Sequence, residues 1–267
     1  SRTANAAEHA VTNLFWTSEA SVILFLGLPT AAYLLYAYWR NAPPIQNLSE
    51  TIANFNLFNS LYSIFLSMAL VTLLVNFNNV QDDTREESEA MVSMARLLNG
   101  LDDAAGAKKA LVDYAAAVVR YDRPAMAQGE MSPEAHAAID GLWNQAYKLQ
   151  PTTKAQESLT RLLLQDLADI TKCRLTRRIK AKENLHPMIF GLIVAGYYVM
   201  LIKTWLTRVG NRKTQLAFEL PMFAMVILVI TVIEDLNTPF VGIVNIDTSF
   251  FDYAYKRVSE LAGLPRP

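Results

Sequence analysis

Four stretches without a charged side chain constrain this chain more than any other feature. They run from Ala20 to Trp39, Thr51 to Gln81, Asn184 to Ile202 and Leu220 to Ile233, which is 20, 31, 19 and 14 residues. A bilayer core of ~30 Å needs about 20 apolar residues in a helix, and a helix satisfies its own backbone there. Three runs suffice outright. The fourth does so when Leu216 to Leu220 joins it with Glu219 at headgroup level. The expectation is an all-α integral membrane protein with four transmembrane helices and a helical cytosolic domain between the second and third. The expected division is 1–81 for an N-terminal interfacial helix and spans one and two, 82–186 for the cytosolic domain, 187–236 for spans three and four, and 237–267 for a cytosolic C-terminal tail.

Details along the chain support this division. Residues 1 to 19 hold no basic region leading into a cleavage site, so the first run reads as a retained anchor. Tyr33, Tyr36, Tyr38 and Trp39 crowd its end, where amphipathic rings suit a membrane surface. The second span carries Asn56, Ser60, Ser63 and Ser67 at spacings of 4, 3 and 4, which puts them on one helical face. Asp82, Asp83, Glu86, Glu87 and Glu89 then mark an exit into water. Within the insertion, Met91, Met94, Ala95 and Leu98 form one apolar stripe and Leu111, Tyr114 and Val118 fall on another. Ser132 before Pro133 reads as a helix N-cap, and Thr153 with Gln156 as a capping box. Leu159, Leu163, Leu167 and Ile170 give the following helix its buried face.

Orientation follows from basic residues. Arg2, Arg85, Arg96, Lys172, Arg174, Arg177, Arg178, Lys180, Lys182, Lys256 and Arg257 lie near the membrane on one side, against Arg40, Lys203, Arg208, Arg212 and Lys213 on the other. The positive-inside rule puts the insertion and both termini in the cytoplasm, and the expected location is the inner membrane of a bacterium.

Chemistry-bearing motifs are sparse. His9, His136 and His186 are far apart, and the single cysteine, Cys173, makes neither an intrachain disulfide nor by itself a metal site. No zinc-protease, CxxC, dinucleotide or phosphate-loop motif occurs. No enzyme, cofactor or metal is therefore expected, and a net charge of −1 gives no footprint for nucleic acid. Two readings of Asn56, Ser60, Ser63 and Ser67 stand side by side. They line a conduction path, where hydroxyls replace part of an ion's hydration shell, or they let helices pack closely. Glu234 and Asp235 close the fourth span, either as a membrane-embedded functional pair or as an interfacial pair that ends the run, and with Pro239, Phe240 and Gly242 they are candidates for a structural turn after it. Arg174, Arg177, Arg178, Lys180 and Lys182 are candidate contacts for lipid headgroups or small anions.

Several segments in this order resemble a bestrophin-like family of bacterial membrane proteins. They are Ser60-Leu61-Tyr62-Ser63-Ile64-Phe65-Leu66, Leu111 to Val119 with Pro124-Ala125-Met126, Leu142-Trp143, Arg174 to Arg178, Gly210-Asn211-Arg212, and Asp235 to Gly242. The resemblance implies similarity to bestrophins, which are pentameric anion channels with four membrane helices and a large helical cytosolic part. It departs where bestrophins carry an acidic calcium-holding run. Here Ile243, Val244, Asn245 and Ile246 precede a single Asp247, so calcium gating is not implied. The expected function is a homo-oligomeric anion channel in the lipid bilayer. The alternative is a non-catalytic accessory or structural subunit packed against a larger membrane complex.

Overall fold

The structure is a computed structural model that describes residues 19–39, 48–126, 130–182, 185–206, 212–240 and 244–263. Its described elements are helical, with no strand among them: α1 (Glu19–Trp39), α2 (Leu48–Leu98), α3 (Ala105–Ala117), a π-helical turn (Val118–Asp122), α4 (Arg123–Met126), α5 (Pro133–Ala146), α6 (Lys154–Lys182), α7 (Pro187–Leu206), α8 (Arg212–Asn237) and α9 (Ser249–Ala262). They form two compact units. The first comprises residues 1–75 and 185–238, the second 76–184 and 239–267.

In the first unit α1 packs on α7 and α8, and α7 on α8. Among the described residues Asn56–Leu98 and Leu216–Asn237 are long and apolar enough to cross a membrane. Leu24–Tyr36 and Met188–Thr204 are shorter apolar helices. Pro29 interrupts α1. Having no N–H, it leaves the carbonyl of Phe25 one turn earlier without its helical donor. The Tyr198 hydroxyl fills that vacancy from α7 at 3.0 Å. Tyr197 beside it donates to the Leu26 carbonyl at 3.2 Å and pairs with the Thr30 hydroxyl. Phe223 of α8 meets both Tyr33 and Tyr197 edge to face, with centroids 6.4 and 6.0 Å apart. One side of α2 is buried through Tyr62, Leu66, Ala69 and Leu73. The Tyr62 hydroxyl donates to the Ile193 carbonyl of α7 at 2.7 Å.

The second unit is a helical core built on the stripes read from the sequence. Met91, Met94 and Leu98 of α2, Leu111, Tyr114 and Val118, and Leu163, Leu167 and Ile170 of α6 all belong to it. Phe251, Ala254 and Val258 of α9 join the same core, so α9 belongs to this unit. Their spacing of 3 and 4 presents one apolar face, which water would not tolerate alone. Ser132 caps α5 as expected, its hydroxyl accepting from Ala135 N at 3.0 Å. The start of α6 differs in one respect. Thr153 Oγ1 accepts from Gln156 N at 3.3 Å, but Gln156 Oε1 accepts from the Thr152 N–H, at 2.9 Å, and not from that of Thr153. The reciprocal arm of the box has moved back one residue, where the Thr152 hydroxyl adds a second donor at 2.8 Å.

Candidate functional site

Asn56, Ser60, Ser63 and Ser67 of α2 are all exposed. They lie off the buried Tyr62, Leu66, Ala69 and Leu73 face. Apolar neighbours on the same exposed surface include Leu61 (59% exposed), Ile64 (65%) and Met68 (70%). The hydroxyls are not equivalent. Ser60 donates to the Asn56 carbonyl at 2.9 Å and Ser67 to the Ser63 carbonyl at 2.8 Å. Those protons are committed to the helix backbone, as serine often does within a helix. Ser63 makes no such bond, so its hydroxyl is the one of the three not committed to the helix backbone.

The end of α8 is folded inward. Glu234 and Asp235 are buried, at 4% and 5% exposed. The Asp235 carbonyl accepts from Thr238 N at 3.2 Å, and Asn237 Oδ1 accepts from Leu185 N at 2.5 Å. In the second unit the Pro239 carbonyl accepts from Ile246 N at 2.9 Å, which closes the loop, while Phe240 packs against the core. Gly242 lies outside the described residues. Asp247 Oδ1 accepts from Ser249 N at 2.8 Å, and these contacts hold its carboxyl below the ordinary value. That places Asp247 at the entrance of α9, where a carboxylate offsets unpaired N–H groups.

The basic run divides. Arg178 is exposed, and the Lys182 side chain lies outside the described residues. Lys180 Nζ is 2.8 Å from Asp83 Oδ2. Arg174 and Arg177 are not headgroup contacts, which corrects the expectation for these two. Both are buried, Arg177 completely. Arg174 clasps Asp122 with Nε and Nη2, each at 3.1 Å. Arg177 lies 3.2 Å from Glu87 Oε2 and 3.5 Å from Asp122 Oδ2, with its guanidinium carbon 4.8 Å from the Phe251 ring centre. The Tyr114 hydroxyl donates to Glu87 Oε1 at 2.7 Å. Two guanidinium groups thus face two carboxylates in the buried interior; Arg174 hydrogen-bonds Asp122, while Arg177 faces its carboxylates by ion pairing alone. Burial raises the Glu87 carboxyl above its ordinary value, opposed by Arg177 and then Tyr114. Burial and the Glu87 charge push the Tyr114 hydroxyl well up, which keeps it a donor.

Asp122 owes its position to the π-helical turn, where Arg123 N donates to the carbonyl of Val118, five residues back. The wider turn carries one extra residue and aims Asp122 inward, where it also accepts from Ser132 N at 2.9 Å. Sequence reading missed Glu87, Tyr114 and Asp122 as one group. The available signal was stripe phase: Leu163, Leu167, Ile170, Arg174 and Arg177 continue one 4-3-4-3 series.

Near Lys180 the thiol of Cys173 faces Glu86 Oε2 at 3.7 Å. Burial, then Glu86, Glu87 and Asp83, push that thiol up to about 12.

The model of the Bestrophin-like domain family matches residues 24–251. A solved variant of a membrane protein superposes with a TM-score of 0.72 at 13% identity, covering 91% of this chain and 100% of that one. A bacterial bestrophin homologue from Klebsiella pneumoniae gives 0.69 at 12% identity, with 93% and 100% covered. A mutant of that homologue gives 0.65 at 12%, with 94% and 99% covered. At such identities the likeness is one of fold. No curated protein matches the sequence significantly. With its family match running through nearly all of the described helices, the chain belongs to the bestrophin-like family.

Proposed function

We propose that this protein is a homo-oligomeric anion channel of a bacterial inner membrane. The observation that carries the reading is the exposed hydroxyl line on α2, a helix of membrane-spanning length whose opposite face is buried against its own unit. Hydroxyls turned away from their own fold gain nothing from lipid, but a ring of copies would give them a shared polar path. Family membership and the fold shared with a bestrophin homologue support the same conclusion. In this reading α1, the first half of α2, α7 and α8 make four crossings, with both termini and the insertion in the cytoplasm. Arg178, exposed on α6, approaches headgroups. The buried arginine network has structural work only, and no step of chemistry is assigned to any residue. None of the comparisons favours the accessory-subunit alternative.

Chloride flux from liposomes carrying the purified oligomer tests this. Ser63→Leu removes the uncommitted donor and narrows the path, and flux should fall about tenfold, equivalent to a barrier rise of only ~1.4 kcal/mol. Ser67→Ala, which deletes a hydroxyl already bonded to its helix, should change flux far less. Absence of flux from correctly assembled wild-type protein overturns the proposal. Topology is tested separately in a Cys173→Ala background. Arg40→Cys and Lys154→Cys should react with an impermeant thiol reagent from opposite sides, and labelling of both from one side would sink the four-crossing arrangement.

A further inference from the structure

The second unit brings together a donor set that the function above does not use. Asp83 and Glu86 sit one turn apart on α2, and Cys173 reaches them from α6. One donor atom from each, two carboxylate oxygens and the sulfur, lie within 4.8 Å of one another. Cys173 is a buried residue, while Glu86 is exposed and Asp83 half-buried, so the cluster opens on its carboxylate side. Hydrogen bonding gives the sulfur little, since its one polar contact is the long approach to Glu86. Lys180 places an ammonium 2.8 Å from Asp83, so it competes with any cation for that carboxylate.

We propose that Asp83, Glu86 and Cys173 form a binding site for a zinc-class divalent cation. Three protein ligands of mixed sulfur and oxygen, with one position left to water, match what zinc and cadmium accept, and magnesium or calcium would not choose the sulfur. All three residues lie in the second unit, and a bound cation would draw their donor atoms closer than the present 4.8 Å. Binding displaces Lys180, which swings away on a flexible stem.

Because Cys173 is the sole cysteine, cadmium titration of the purified full chain gives an unambiguous signal: the ultraviolet thiolate-to-cadmium charge-transfer band reports that residue alone. One band equivalent per chain is expected, with zinc competing for it and Cys173→Ser abolishing it. Glu86→Gln and Asp83→Asn should each weaken cadmium by at least ~10-fold, the loss typical of removing even a supporting contact. Lys180→Met should tighten it by removing the competing ammonium. Zinc should raise the thermal midpoint of the wild type and not of Cys173→Ser. A missing band, or a band indifferent to both carboxylate substitutions, overturns the site. All variants are read only where the oligomer elutes as wild type, and chloride flux does not enter the readout, so failure here is separable from failure of the channel proposal.

Discussion

Replacing Arg177 with alanine should destabilise the second unit by about 3–5 kcal/mol, the usual cost of stripping one partner from a buried charge cluster. Arg177 is fully buried and faces Glu87 Oε2 at 3.2 Å and Asp122 Oδ2 at 3.5 Å. Asp122 keeps Arg174, so the main damage falls on Glu87, which keeps the Tyr114 hydrogen bond and only the weaker attraction of Arg174. A loss of that size is a large part of a typical domain's stability of about 5–15 kcal/mol. Pairing Arg177→Met with Glu87→Gln removes both charges and keeps most of the volume, so it should recover most of the loss. Thermal unfolding in detergent measures all three proteins.

The pH dependence has a definite sign. Burial raises the folded Glu87 carboxyl above its unfolded value, so the folded chain holds that proton more tightly. Its contribution is full below the ordinary carboxyl range and fades as pH rises through the raised folded value. Losing Arg177 removes the principal interaction that opposes this rise. The gap between wild type and Arg177→Ala should therefore narrow as pH falls from neutral toward that range. A gap of constant size would mean that Glu87 does not carry the loss.

The cluster also shows what a single sequence can and cannot disclose. Apolar stripes were legible because burial follows helical period, and Met91, Met94, Leu98, Leu163, Leu167 and Ile170 are all buried as their spacing implies. The same period carries Glu87 in α2, since Val80, Thr84, Glu87, Met91, Met94 and Leu98 are every one buried on a 4-3-4-3-4 series. Read by residue type, Glu87 joined the acidic exit run and Arg177 the basic patch. Read by phase, both belong inside. Asp122 was less accessible, because its inward aim depends on the π-helical turn, and no residue in Val118–Asp122 announces a five-residue hydrogen bond. The Asp83, Glu86 and Cys173 group was out of reach for a plainer reason: 87 residues separate Glu86 from Cys173. In the serine stripe, spacing gave the face but not the distinction between Ser63 and its neighbours, which rests on hydroxyl rotamers.

Gly196→Ala should disturb the first unit by about 1–3 kcal/mol, far more than one methyl group suggests, because there is no room for it. A Cβ at this buried position of α7 would collide with the ring carbons Cδ2 and Cε2 of Tyr62. That ring cannot simply swing aside. Its hydroxyl is tied to the Ile193 carbonyl at 2.7 Å, and it stacks on Phe58 with centroids 6.0 Å and planes 8° apart. Glycine is present so that two helices approach closely, the role small residues play wherever apolar helices pack without water to drive them together. Tyr62→Phe, which deletes only the hydrogen bond, should cost about 1 kcal/mol. Tyr62→Leu empties the collision site, so Gly196→Ala added to it should cost much less than it does alone. Thermal midpoints of the four proteins in detergent close this cycle, and simple additivity would mean that the ring and the glycine are not in contact. The functional consequence follows from the helix itself. Tyr62 precedes Ser63, so a shift of the ring that rotates α2 re-aims the uncommitted Ser63 hydroxyl. Under the channel proposal Gly196→Ala should therefore depress chloride flux through any oligomer that still assembles, and Tyr62→Leu should restore part of it.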